Sequence, residues 1–230
     1  MKRFLYICVC IVLITAFAGC DKGFEVPTGA KIVNNGNETG LAYDLDIEEF
    51  TDRFNSIYEA KTGKGAVLDK DNNPTDLESG DFRIIGEKSQ KDGKTKYTSY
   101  SCSLAKAQII LAVDDESGKI ISATTATTEL IWSSSAKEVE EIGTAMSIAC
   151  ADYTVENFDY VKEMYEKSIS GNCYFDNVIY KVIGTEGTKD NEEMVVKMIS
   201  LPTTEDYLEN VSYTDYRLYK DGKVEFGEHK

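Results

Sequence analysis

The spacing of apolar residues changes period twice along the chain. From Asp46 onward, Ile47, Phe50, Phe54 and Ile57 recur at steps of three and four, one face of a helix. Asp46 and Glu49 have capping-box spacing, and Gly63 is a natural stop. Residues 61–80 are rich in Lys, Asp and Asn, contain Pro74, and read as a polar loop. The period then becomes two. Strands are predicted from Phe82 to Ile85, Lys96 to Cys102, Gln108 to Val113 and Lys119 to Thr125. Lys91-Asp92-Gly93-Lys94 and Asp115-Glu116-Ser117-Gly118 supply turns, because Asp, Ser and Gly favour tight reversals. Helical spacing returns at Ser135, which forms a second capping pair with Glu138, and buries Val139, Ile142, Met146 and Ala149. Thr154 caps a further helix with Phe158, Val161 and Tyr165 inward, ending at Gly171. Strands follow from Tyr174 to Ile183 and from Met194 to Ile199. A last hairpin, Tyr213 to Tyr219 and Val224 to Phe226, turns at Lys220-Asp221-Gly222-Lys223.

This order predicts an α+β fold: antiparallel meander sheets covered by helices, read as two degenerate helix-plus-four-strand units. The domain spans 44–230, with halves 44–132 and 133–230. In element order alone it resembles clamp-shaped exported bacterial proteins built from helix-plus-meander units, among them some protein inhibitors.

The first residues have a different logic. Lys2 and Arg3 precede an apolar run from Phe4 to Ala18, too short for the roughly 20 residues that span a bilayer. Phe17-Ala18-Gly19-Cys20 closes it and resembles the lipobox of bacterial lipoproteins. That resemblance implies a signal peptide over residues 1–19, cleavage between Gly19 and Cys20, and diacylglycerol on the Cys20 thiol. It implies an exported protein anchored by lipid to the outer face of the bacterial cytoplasmic membrane. Phe17 departs from the aliphatic residue usual at that position. Cys8 and Cys10 would leave with the signal. Residues 20–43, mixed Gly, Asn, Asp, Lys and Thr, then read as a lipidated cysteine and a flexible tether of about 25 Å.

Charge narrows the partners. Loss of residues 1–19 removes Lys2 and Arg3 and no acid, taking the formal charge from −15 to −17. Such a chain repels phosphate backbones and anionic membrane surfaces, so nucleic acid is excluded as a partner and the membrane is held through lipid. Of the remaining cysteines, Cys102, Cys150 and Cys173 are odd in number. An oxidising exterior permits one disulfide among them, including Cys150 or Cys173; three buried thiols are the other reading.

Catalytic chemistry is thinly represented. The single histidine, His229, is next to the last residue of the sequence given. Ser134-x-x-Lys137, Ser170-Gly171-Asn172 and Lys61-Thr62-Gly63 superficially resemble the motifs of serine penicillin-recognising enzymes, but their order is wrong. Ser103-x-x-Lys106 repeats the first by chance. Asp69, Asp71 and Asn73 have the spacing of a calcium loop, but Pro74 takes the hinge glycine position and Gly80 the closing acid position, leaving weak candidates. Val113 to Ile120 resembles the closing hairpin of PepSY-type domains over that hairpin only. Asp114, Asp115 and Glu116 are the carboxylates a hydrolase acting on envelope polymers would use, yet three in one turn do not flank a cleft.

Tyrosine crowds the C-terminal half, and Tyr213, Tyr216 and Tyr219 are the candidate binding surface. The expectation is a non-enzymatic binding module without cofactor or metal, its partner a protein or a saccharide. The alternatives are an envelope-polymer hydrolase and a ligand-binding receptor lipoprotein.

Overall fold

Helix α1 (Ile47–Thr62) begins and ends as the sequence predicts. Asp46 accepts from the Glu49 amide at 3.0 Å, and the Glu49 carboxylate accepts from the Asp46 amide at 3.2 Å. Gly63 closes it at φ 73°, a left-handed geometry that a residue without Cβ takes cheaply. Phe50 and Phe54 are fully buried and form a ladder with Tyr58, with ring centroids 5.8 and 5.6 Å apart.

The computed structural model describes residues 29–34, 41–89, 96–105, 107–127, 131–168, 172–185, 193–204, 216–220 and 223–226. Within them the chain is an α+β protein. The strands of the main sheet are β1 (Ile32–Val33), β2 (Ala42–Tyr43), β5 (Arg83–Ser89), β6 (Lys96–Ser103), β7 (Ala107–Asp114), β8 (Ile120–Thr127), β9 (Ile131–Trp132), β10 (Asn172–Phe175), β11 (Val178–Thr185), β12 (Glu193–Pro202), β13 (Tyr216–Lys220) and β14 (Lys223–Phe226). A separate small hairpin holds β3 (Val67–Leu68) and β4 (Pro74–Thr75). Across the sheet the order is β14-β13-β10-β11-β12-β8-β7-β6-β5, with β2 also on β8 and β9 on β12. The pairings are antiparallel except β10 with β13. The β8–β12 pairing joins the predicted halves into one sheet over one core.

Helices α2 (Ser133–Ala151) and α3 (Phe158–Ser168) pack on one face of that sheet. Strand residues at one alternate set of positions meet them. Thr125 donates to Met146 Sδ, Cys173 to Met164 Sδ, and Tyr180 and Phe175 set their rings against Tyr165 and Tyr160. Helix α2 is buried all round from Ile142 to Ala151. Its small residues permit this close approach: a Cβ on Gly143 would lie 2.5 Å from Met198 Sδ.

Several expectations shift. The tether expected over 20–43 is shorter, because residues 29–34 and 41–43 belong to the fold. Ile32 and Val33 pair with Tyr43 and Ala42, and Ala30 N donates to Asp176 at 2.9 Å. These strands are two residues long and leave no period to read. The loop 61–80 contains the β3–β4 hairpin, and Leu77 is buried there, its backbone clamped on both sides by Asn55 at 2.7 and 2.9 Å. Helix α2 starts at Ser133, so Ser135 lies inside it rather than at its cap. Thr154 opens a short 3-10 turn, Val155–Asn157, ahead of α3. The strand read from Tyr174 to Ile183 is a hairpin: Asp176 and Asn177 take φ of 43° and 64°, the left-handed pair of a two-residue turn.

Candidate functional site

Two of the three carboxylates proposed for hydrolysis are bound into the structure, and Glu116 is exposed. Asp114 is buried, and its Oδ2 accepts from the Ser117 amide at 2.8 Å and the Ser117 hydroxyl at 2.6 Å, building the β7–β8 turn. Asp115 Oδ1 accepts from Thr98 at 2.7 Å. The weak cation candidates resolve the same way. Asp69 Oδ1 accepts from the amides of Asp71 and Asn73, both at 2.8 Å, and Oδ2 from the Asn73 side chain at 3.1 Å. These bonds hold the Asp69 carboxyl below its ordinary value, the Asn73 amide first among them. The Asp/Asn spacing is thus the signature of the β3–β4 turn. Lys61, from the Lys-Thr-Gly motif, pairs with Asp159 at 2.8 Å. Lys137 pairs with Glu141 at 3.5 Å.

Cys102, Cys150 and Cys173 are buried and in no disulfide. They sit on β6, α2 and β10, each turned into the apolar core, which answers the expected pairing with three separate thiols. The tyrosines of the C-terminal half divide. Tyr153, Tyr160, Tyr165 and Tyr180 are buried in the core cluster, so that part of the aromatic count serves the core rather than a surface, while Tyr174 is buried on the other face of the sheet. Tyr216 and Tyr219 lie on β13, while Tyr213, like His229, lies outside the described residues.

The buried hydroxyls form a polar seam under the helices. Tyr43 and Ser200 hydroxyls are 2.6 Å apart, the Ser147 hydroxyl meets that of Tyr165, and Tyr153 donates to Asp176 at 2.7 Å. Burial disfavours the charged form and raises the pKa of buried hydroxyls and thiols. Tyr58 rises to about 12 from 10.0 through burial, then Glu138 and Glu141. Cys102 rises to about 11 from 9.0, mostly by burial, and Tyr43, Cys150, Tyr165 and Tyr180 rise as well. Folded values above unfolded ones mean the contribution is complete below pH 9.0 and lost as pH climbs toward about 12. The urea midpoint should therefore fall steeply with pH above 9.0. A midpoint unchanged up to about 12 would mean these hydroxyls and thiols stay in water when folded.

One open groove of about 430 Å³ lies between α1 and the α2–α3 link, lined by residues including Asp52, Arg53, Ser56, Asp152 and Glu156. Its one cation is engaged within it. Asp152, at φ 61°, accepts Arg53 at 2.7 Å and Lys31 at 2.5 Å. The groove ties the N-terminal segment to the helices.

The larger surface is the face of the sheet opposite the helices. Its residues follow from strand register. One row crosses six strands: Lys181, Ile199, Thr124, Ile110, Ser101 and Arg83 are successive partners. Beside it run Ile183, Lys197, Ala126, Gln108 and Ser103. On the other side lie Tyr174, Ile179 and Leu201, then Ser122, Ala112, Ser99 and Gly86. Ile110, Ala112, Ser122, Thr124, Ile199 and Leu201 are half-buried, and Arg83, Ser103, Ile183 and Lys197 are exposed, while Ser101, Ala126, Tyr174 and Ile179 in the same rows are buried, so the accessible part of the face lies along its central row and around Lys197 and Ile183. Between Lys181 and Arg83 the central row carries only small hydroxyl and aliphatic side chains, with no ring. The signal lay in the sequence as the second member of each period-two pair. For Ser99, Ser101 and Ser103 nothing local says that six strands will align them. The exposed edge strand β5 carries Ile84 and Ile85 at 60% and 58% exposure, beside an irregularity between Ile84 and Gly86 that breaks the pairing template.

No family model, no curated protein and no solved structure matches this chain.

Proposed function

We propose that this chain is an exported, lipid-anchored binding module that works by contact through the helix-free face of its sheet. The observation that carries the reading is the three-row face itself, a broad surface of mostly small side chains on a fold whose candidate carboxylates Asp114 and Asp115 are taken up by hydrogen bonds at a turn. The lipobox at Phe17-Ala18-Gly19-Cys20 supports the anchor, and likeness in element order to clamp-shaped exported proteins supports contact as the mode of action. A protein partner fits better than a saccharide, since the central row carries no ring and sugars favour exposed rings to stack on.

Two substitutions test the two parts. Cys20→Ala should leave the signal uncut or release the protein from membranes on fractionation. Cleavage at the same bond with the product still membrane-bound would sink the anchor. Thr124→Trp, in the middle of the face, should abolish capture of the partner by the immobilised domain from its own envelope, while Ser56→Trp in the groove should leave it intact. The opposite pattern would move the site to the groove. Hydrolysis of a peptidoglycan or ester substrate that Asp114→Asn abolishes would overturn the contact reading.

A further inference from the structure

The charge on this molecule is unevenly placed. The chain carries 40 acidic against 25 basic residues. The helical layer holds Glu48, Glu49, Asp52, Glu59, Glu138, Glu140, Glu141, Asp159, Glu163 and Glu166. The three rows of the sheet face hold no acidic residue and three basic ones: Lys181, Lys197 and Arg83. Basic residues elsewhere are largely spent, since Lys31, Arg53, Lys61, Lys64, Lys119, Lys137 and Lys162 pair with acids. Among the described residues, Lys181, Lys197 and Arg83 make no ion pair. Arg83 donates to the Gly80 carbonyl at 2.6 Å.

We infer that the helix-free sheet face docks an acidic protein segment whose carboxylates sit toward both ends of a small-residue apolar stretch. This rests on the contact reading above and names its partner's chemistry. Five strand steps of about 4.8 Å separate Lys181 from Arg83, so the cations stand about 24 Å apart across the face. Lys197 is diagonal to Lys181 at about 7–8 Å, which makes one end doubly positive. Between them Ile199, Thr124, Ile110 and Ser101 form a shallow apolar and hydroxyl track. A helix of about 16 residues covers that span at 1.5 Å per residue. The three rows cover roughly 24 by 14 Å, or about 350 Å². That is under half the roughly 800 Å² per partner of a standard interface, so the three cations must carry much of the affinity. Binding then weakens steeply with salt, because exposed charges are screened within about 8–10 Å at physiological ionic strength.

An anionic membrane fits this face less well. Short Ser, Ala and Thr side chains offer no wedge to enter lipid. Three cations at about 1 kcal/mol each do not hold a strongly acidic chain to a like-charged surface.

The test uses the full lipid-anchored chain with a photo-crosslinking residue at Thr124. The expected product is a protein cross-linked through an acidic segment. Its yield should fall at least tenfold in Lys181→Glu/Lys197→Glu and several-fold on raising salt from about 0.05 to 0.5 M, where the screening length shrinks severalfold. Lys181→Gln/Lys197→Gln should fall between wild type and the reversal. A protein product indifferent to charge reversal and salt overturns the acidic partner but leaves the contact face standing. A product with lipid in place of protein overturns both partner and class. No product from Thr124 while a cross-linker at Ser56 gives one overturns the face itself. Circular dichroism and urea midpoints equal to wild type in the charge variants exclude loss through unfolding.

Discussion

Phe50→Ala lowers the stability of the domain by about 3–5 kcal/mol, the cost of emptying a fully packed aromatic site. Phe50 is wholly buried on the inner face of α1. Its ring stacks on Phe54 at 5.8 Å and meets Phe82 edge-on at 6.2 Å. Phe82 opens into β5, so this one ring fastens α1 to the far margin of the sheet. Truncation removes the transfer energy of the ring and leaves a cavity that the stacked neighbours cannot fill without breaking their own geometry. Urea melts of the domain without its signal measure the loss. A change below about half a kcal/mol, the scatter of surface substitutions, would place this ring in solvent.

Ile142→Ala is expected to cost about 2–5 kcal/mol, toward the upper end of that range. Ile142 begins the fully buried stretch of α2, the helix enclosed by α1, α3 and the sheet. The cost of such a cavity depends on how far the site can collapse. Here collapse is restricted, because Gly143 already brings the helix backbone as near to Met198 as a missing Cβ permits. Ile142→Val, losing one methyl group, should cost only about 0.5–1.5 kcal/mol. Equal effects for the two substitutions would mean that helix α2 repacks freely and that the core is not close-packed around it.

The helices and the central meander were legible because their signals are local. Asp46 with Glu49 and Gly63 bracket α1 by backbone chemistry that needs no tertiary partner. Ile109, Leu111 and Val113 alternate with half-buried neighbours and mark β7 on their own. Other features were hidden because their cause is distant. The β1 and β2 strands exist through Asp176, Asp152 and the end of α2, more than a hundred residues away in sequence. The Asp176-Asn177 turn had a local signal, a left-handed-tolerant pair between apolar runs, and yielded to the stronger look of one continuous strand. Tyrosine abundance pointed to a surface, yet buried hydroxyls such as Tyr43 with Ser200 satisfy each other in the core, and composition cannot distinguish the two uses. The sheet face depended on register across six strands, which no single segment encodes.

The most direct test of the account is thiol labelling of Thr124→Cys in the mature chain with Cys20 replaced by serine. Cys102, Cys150 and Cys173 are buried, so they serve as internal controls. At neutral pH and without denaturant, a polar maleimide should add once to the Thr124→Cys chain and not at all to its parent, with the remaining thiols reacting only on unfolding. Rapid labelling of the native parent, or refusal of the folded variant to react, would contradict a structure in which one face of the sheet is core and the other is open for contact.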